Sequence, residues 1–328
     1  MTSPDLIGFL SAAYADEPWP KPFHVLEGVQ KINAGLSVKD AAKATGTHAK
    51  RLEDTRKSND PEFDILGVRP AEITEDDLKR AGTILGGLLL GRAAEMAFED
   101  IYRSAIGPDS DFKLVDLRKG RSDTDYRVLD GRDRPVYRVN IKFTGSTFRL
   151  APDLVGLEPH DCFPLATYKI FGALKKQDEE HLPYIFAVVG VPDLTAISVQ
   201  SELIKDDTQF IALFTKSKRI PGKRSIEDKV VDRIAARKSN AFMDAYSRIW
   251  AAEWYVLSAR KADMLLRDRL FERVYALKLR SFTRKFRGAE LDMHFSLGKD
   301  LIALKDFLRT LKEEGPTKIA SLLERGTF

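Results

Sequence analysis

Three polar residues near the middle of the chain have types and spacing suited to phosphate chemistry: Asp125, Asn140 and Lys142. Asp125 opens the run Tyr126–Leu129, and Asn140-Ile141-Lys142 lies within Val136–Phe143. Between the two runs, Asp130-Gly131-Arg132-Asp133 is a strong turn signal. A loop at 131–134 sets 130 opposite 135, Val128 opposite Tyr137 and Asp125 opposite Asn140. Directly opposed side chains share one face of a sheet. Alternation adds Lys142 to that face and turns Ile141 and Phe143 away. A slip of one residue breaks the group apart. Magnesium takes oxygen ligands in near-octahedral geometry. The Asp125 carboxylate and the Ile141 carbonyl could hold such an ion against a phosphate. Lys142 is a point charge that could orient water or stabilise charge on the reacting oxygens.

The elements that must position these residues follow from pattern. Thr74–Ala105 repeats apolar residues at helical spacing and carries Gly86, Gly87 and Gly91, which leave room for a close neighbour. Strands are expected at Phe112–Leu117, Asp125–Leu129, Val136–Phe143 and Tyr184–Val191. A helix is expected at Phe163–Lys176, and Phe210–Phe214 is a further strand candidate. The order helix, strand, strand, strand, helix, strand is that of an α/β domain with a mixed sheet.

That order and these residues resemble the PD-(D/E)xK superfamily of restriction-type endonucleases, in which an acid opens one strand and acidic-x-Lys follows on the next. The resemblance covers about 115 residues, roughly 76–191. It implies a restriction endonuclease-like core that hydrolyses DNA phosphodiester bonds with Mg2+, or Mn2+ in its place, in restriction or genome defence. It implies Asp125 as metal ligand, Lys142 as catalytic lysine, Asn140 in the place of the second metal-binding acid, and Glu95 as a further acid from the preceding helix. Glu99 is one turn later on the same face. The implied metal set is Asp125, Asn140, the Ile141 carbonyl and Glu95. Asn140 departs from the pattern: an amide oxygen is a neutral ligand, so metal affinity should fall. Glu95, Glu99 or Asp123 could restore charge, or the domain has kept the fold and lost the reaction. The chain is then a non-catalytic nucleic-acid-binding protein. Asp125 as a turn cap beside an ordinary solvated strand face is the plain structural alternative. Asp116 reads as a solvated strand charge or a second site acid.

Composition bounds the rest. The chain has 328 residues, 43% hydrophobic and 31% charged, as expected of a globular protein with a sizeable core. Its apolar runs fall far short of the ~20 residues that cross a bilayer, and the opening residues do not predict a signal peptide. The single cysteine, Cys162, excludes an internal disulfide, and a reducing cytoplasm is expected. The five histidines show no zinc spacing, no phosphate-binding P-loop is present, and Asp161-Cys162 lacks a paired base.

The net charge of +4 hides an asymmetry: residues 216–287 hold 20 basic and 8 acidic side chains. Candidate nucleic-acid contacts are Lys218, Arg219, Lys223 and Arg224 in a Pro-Gly loop, Arg280, Arg284 and Arg287 on one helix face, and Lys169. Three domains are expected: a helical module at 1–70, the α/β core at 71–215, and a basic, mostly helical domain at 216–328. Within the first, Gly35 to Thr47 resembles the start of a helix-turn-helix, with Ser37 as N-cap and His48–Lys57 as recognition helix. Ala241–Arg287 reads as one long helix or two, with Trp250, Trp254 and Tyr255 on it. DNA is the expected partner, RNA stands beside it because the chemistry does not select the sugar, and no membrane is expected. Cutting both strands of a duplex favours a homodimer.

Overall fold

The computed structural model describes residues 14–16, 19, 23–50, 52, 75–108, 110–118, 124–216, 226–278 and 290–326. In chain order the first elements are α1 (His24–Asn33), α2 (Val38–Thr45), α3 (Glu75–Ile106), β1 (Lys113–Asp116), β2 (Tyr126–Leu129) and β3 (Pro135–Thr144). Next come α4 (Ala151–Val155), β4 (Cys162–Ala166), α5 (Thr167–Glu180), β5 (Tyr184–Gly190), α6 (Ala196–Lys216), α7 (Ile226–Ala236) and α8 (Asn240–Ala251). The last are β6 (Trp254–Ser258), α9 (Ala259–Asp268), α10 (Leu270–Arg273), β7 (Val274–Lys278), β8 (Glu290–Ser296), α11 (Leu297–Asp300), β9 (Ile302–Ala303) and α12 (Leu304–Arg325).

These elements form two compact units from interleaved segments. One unit takes Met1–Phe63, Phe148–Glu180 and Ala259–Asp300, and the other Asp64–Thr147, His181–Ser258 and Leu301–Phe328. The expected division at 70 and 215 follows composition along the chain, whereas this packing runs across it.

The second of these units is an α/β layer structure. Its sheet has the order β1-β2-β3-β5-β6-β9. β1, β2 and β3 are an antiparallel meander, β3 and β5 run parallel, and β6 and β9 return antiparallel. α3 buries Leu85, Leu89, Ala93, Ala97 and Phe98 in one core with Tyr126, Val128, Val139 and Ile141 of the sheet. α3 also packs on α6. Gly86 is what allows the approach, because a Cβ there would lie 2.7 Å from the Ala196 carbonyl oxygen. Strand β5 is buried on both faces except at its last residue, as a central strand must be.

The hairpin register is Val128 opposite Tyr137, as the turn signal predicts, but Leu129 pairs with Pro135 across a bulge. Residue 130 therefore does not face 135. The Asp130 carboxylate instead accepts the backbone N–H groups of Arg132 and Arg134, each at 2.9 Å. A short polar side chain that bonds its own turn competes with the ladder and absorbs the extra residue.

Three sequence expectations are corrected. Phe163–Ala166 is strand, not the start of a helix. It pairs only with β8 at the edge of the sheet β4-β8-β7, where Pro164 is tolerated. Phe210–Phe214 lies in helix α6. Ala241–Arg287 is neither one long helix nor two: among its described residues β6 and β7 interrupt it, with Trp254 opposite Val189 and Leu257 opposite Phe186. Trp254 and Tyr255 are thus strand residues, and the described residues of the C-terminal third, though mostly helical, include the strands β6 to β9. Local apolar pattern cannot tell a buried strand from a helix segment when the partner strand is far away in sequence.

In the unit that holds the N-terminus, Ser37 caps α2, accepting the Asp40 N–H at 3.1 Å, and Gly46 ends it at φ 63°. The expected recognition helix His48–Lys57 lies mostly outside the described residues. The three-stranded sheet of this unit buries His294. Its Nδ1 is 3.1 Å from the Arg273 carbonyl, and its ring lies 5.1 Å from that of Phe148. Burial pushes the imidazole down from 6.5 to about 4. The unfolded chain therefore binds a proton that the folded chain refuses. His294 favours folding fully above about pH 6.5, and that stability drains away as pH falls through about 4, by roughly 3 kcal/mol in all. Denaturant titrations between pH 7 and 4 should show this loss in the native chain and a smaller one in His294→Phe.

Candidate active site

The site is built at the end of β2 and along β3, on the sheet face opposite the α3 core. The register 126:139 places Asp125, one residue before β2, opposite Asn140. The Asp125 N–H donates to the Val139 carbonyl at 3.2 Å, and Asp125 Oδ2 accepts the Ile141 N–H at 2.6 Å. Ile141 itself points into the core, while Asn140 and Lys142 are half-buried on the other face. Lys142 Nζ donates to Asn140 Oδ1 and, at 3.0 Å, to the Ile141 carbonyl. The structure thus brings Asp125, Asn140, Ile141 and Lys142 together.

β5 supplies the floor. Tyr184 and Phe186 alternate away from the core residues Ile185 and Ala187, towards the side of Asn140 and Lys142. The Tyr184 hydroxyl is hydrogen-bonded by the side chains of Thr124 and Asn140, and burial pushes its phenol up to about 12. Arg138 in turn donates to Thr124 Oγ1 at 3.2 Å.

Glu95 comes from α3, where it is one turn from Glu99. Its Oε2 accepts Arg92 at 2.9 Å and Arg118 at 3.1 Å. Arg118 also binds Asp116 at 2.7 Å and Glu99 at 3.4 Å, and its guanidinium lies 4.9 Å from the centre of the Tyr126 ring. The Tyr126 hydroxyl closes the group by donating to the Glu95 carbonyl at 3.0 Å. Arg92 continues to Asp232 on α7. Asp116 is therefore paired on the rim of the site.

Electrostatics couple the two groups. Burial raises the Glu95 carboxyl, Arg92 opposes that, and the charge on Asp125 adds to it. Burial also raises Asp125, against the Ile141 N–H and Lys142. A cation near both carboxylates would favour their charged forms. The donor atoms suit a hard one. Asp125 and Glu95 each have one oxygen anchored by protein donors and, among the described residues, one oxygen without a hydrogen bond. An anchored carboxylate with a spare oxygen is what a metal ligand needs. Asn140 and Ile141 add neutral oxygens that already hold one cation, the Lys142 ammonium. Among the described residues no three His, Cys, Asp or Glu side chains gather into a metal cluster, so the set is two carboxylates at most.

Lys169 is exposed on α5, in the other unit. Asp123, Lys218, Arg219, Lys223, Arg224, Arg280, Arg284 and Arg287 lie outside the described residues. Cys162 is buried, and its thiol is pushed up to about 12, which suppresses nucleophilic chemistry. Sequence reasoning did not find Arg92, Arg118, Thr124, Tyr126 or Tyr184. Arg92 had a signal, three residues before Glu95 on a helix. Arg118 had another, two residues after Asp116, where alternation returns to the same face.

Arg118 is only 14% exposed in its side chain and bridges three acids. Removing one partner of a buried ion network leaves the others uncompensated. Arg118→Met should destabilise the fold by roughly 2–4 kcal/mol, read by denaturant unfolding. Arg103→Met should shift it by less than about 1 kcal/mol, because Arg103 is an exposed i,i+4 partner of Glu99.

No family model matches this chain, and neither a curated protein nor a solved structure matches it.

Proposed function

We propose that the chain is a metal-dependent endonuclease that hydrolyses phosphodiester bonds of DNA, with a site of the PD-(D/E)xK kind in which Asn140 stands where an acid is usual. The observation that carries this reading is the convergence of Asp125, Asn140 and Lys142 around the Ile141 peptide, with Glu95 electrostatically coupled to Asp125. Element order supports it: α3-β1-β2-β3 followed by a crossover to β5, parallel to β3, is the order that such a core requires.

In this reading Asp125, Glu95, Asn140 and the Ile141 carbonyl hold Mg2+ or Mn2+, which when bound polarises the phosphoryl oxygen and lowers the pKa of a water. The residues of the chain do the rest. The Ile141 N–H fixes Asp125, and Arg92 and Arg118 fix Glu95. Lys142 presents a charge to the phosphate oxygens and orients the attacking water. The basic residues between 216 and 287 hold the sugar-phosphate backbone without reading bases. Duplex cleavage calls for two copies of the chain.

A second reading is a nucleic-acid-binding protein that has kept the fold and lost the reaction. What favours it is that Lys142 occupies the Asn140 and Ile141 oxygens while two arginines hold Glu95.

Cleavage assays on duplex and single-stranded DNA and on RNA, with Mg2+, Mn2+ or chelator, separate the two. Asp125→Ala and Lys142→Ala should each lose at least about a hundredfold in cutting rate, while both proteins still fold cooperatively and keep most of their DNA binding. Asn140→Asp should lower the Mg2+ concentration at half-maximal rate. Full cutting by folded Asp125→Ala and Lys142→Ala proteins would exclude this site as the seat of catalysis.

The basic residues give an independent measurement. Replacing Arg280, Arg284 and Arg287 together by Gln should weaken DNA binding alike across sequences. The slope of log affinity against log salt should shrink by about one for each phosphate that is no longer neutralised. An unchanged slope would mean that these arginines are only solvated.

A further inference from the structure

An asparagine in the place of a metal-binding acid raises a problem that an acid does not. A carboxylate offers an oxygen whichever way it turns, whereas an amide turned over offers an N–H2 group that repels a cation. Something must therefore decide which end of Asn140 faces Asp125 and Lys142.

From the contacts of β5 we infer that Tyr184 is a positioning residue that takes the N–H2 end of Asn140 and so turns its oxygen into the site. This rests on the metal-site reading above and deepens it.

First, Asn140 Oδ1 receives the Lys142 ammonium, and the Tyr184 hydroxyl is hydrogen-bonded by the Asn140 side chain. An amide that accepts from a cation through its oxygen has its donor end left for an oxygen partner, and the phenol supplies one. Second, Tyr184 is itself fixed. It is 4% exposed, its ring centre lies 5.5 Å from that of Phe186, and it bonds Thr124, which receives Arg138 at 3.2 Å. The chain Arg138, Thr124, Tyr184, Asn140, Lys142 runs without a break from a buried guanidinium to the candidate catalytic lysine. Third, the register makes the arrangement obligatory. β3 and β5 pair in parallel with Arg138 opposite Tyr184 and Asn140 opposite Phe186. Tyr184 is thus diagonal to Asn140 on a shared face, within reach of a long aromatic side chain. Orienting partners of this kind commonly change metal affinity by about ten- to a hundredfold.

The experiment is a double-mutant cycle read by Mn2+ binding, using electron paramagnetic resonance of free Mn2+ and the full chain. The proteins are the native chain, Tyr184→Phe, Asn140→Asp and the double variant. Tyr184→Phe removes one oxygen and keeps the ring. It should weaken Mn2+ binding about tenfold in the native background. In the Asn140→Asp background it should weaken binding less than about twofold, because a carboxylate has no wrong end. Thr124→Val, which loosens Tyr184 without touching Asn140, should repeat the pattern more weakly, and melting curves check the fold of each protein. Equal losses in both backgrounds would reduce Tyr184 to packing and overturn the inference, as would no loss in either. If the native chain binds no Mn2+ that Asp125→Ala removes, the metal-site reading itself falls and takes this inference with it.

Discussion

The hydrogen bond from the Ile141 N–H to Asp125 Oδ2 ties the loose end of β2 to the middle of β3, and the site depends on it. Asp125 stands one residue before the ladder begins, where a chain end is free to fray. With its carboxylate held by a backbone donor, Asp125 is fixed opposite Asn140 at the register that Val128 and Tyr137 set deeper in the sheet. That register is held in turn by burial: Tyr126, Val128, Tyr137 and Val139 all enter the α3 core. A slip by one residue would exchange them for Asp125, Arg127, Arg138 and Asn140. The apolar face thus fixes which residues share the polar face, and hydrogen bonds such as that from the Ile141 N–H then hold their side chains there.

The parts of the fold legible in the sequence were those whose information is local. The long helix α3 ends within a residue or two of its expected bounds because its apolar period persists from one end to the other. The hairpin was legible because Asp130-Gly131 marks the turn and the flanking runs alternate. β4 and β6 were not, because what makes them strands is remote. Phe163 faces Phe295 and Leu257 faces Phe186, pairings that no window of residues contains. The interleaving of the two units was hidden for the same reason, and it divides the basic stretch 216–287 between them at Ser258 and Ala259. In the candidate site, the residues on the hairpin could be read from register. Tyr184 could not, since it arrives by a parallel crossover.

Charge balance explains why the site carries so many basic groups. Glu95, Glu99, Asp116 and Asp125 would repel one another in a half-buried setting, and their tethered counter-ions are Arg92, Arg103, Arg118 and Lys142. Arginine serves the helix side, where one planar fork must bridge several carboxylates at once. Lysine serves the strand side, where a single point charge bonds the Asn140 amide oxygen and the Ile141 carbonyl. The difference matters for what a ligand could displace. A guanidinium bonded to three acids and packed over the Tyr126 ring is part of the framework. An ammonium on an amide and a carbonyl has given up little that a phosphate oxygen could not replace.

Asn140 fits this balance better than an acid would in the absence of a cation. A third carboxylate beside Asp125 and Glu95 would push further upward two groups that burial already raises, and would draw Lys142 into a tight ion pair. The amide keeps an oxygen at the same position with no added repulsion, and it leaves the ammonium less firmly bound. In the proposed metal site the penalty would be weaker attraction for the ion, and it would fall on the two remaining carboxylates. Both are held in the way that compensates, with one oxygen pinned and the other without a protein hydrogen bond among the described residues. A neutral ligand also has a direction, which a carboxylate lacks, so the substitution moves part of the specification of the site from charge to hydrogen-bond geometry. In the proposed metal site, the neighbours of Asn140 on β5 would therefore matter more than they would around an acid.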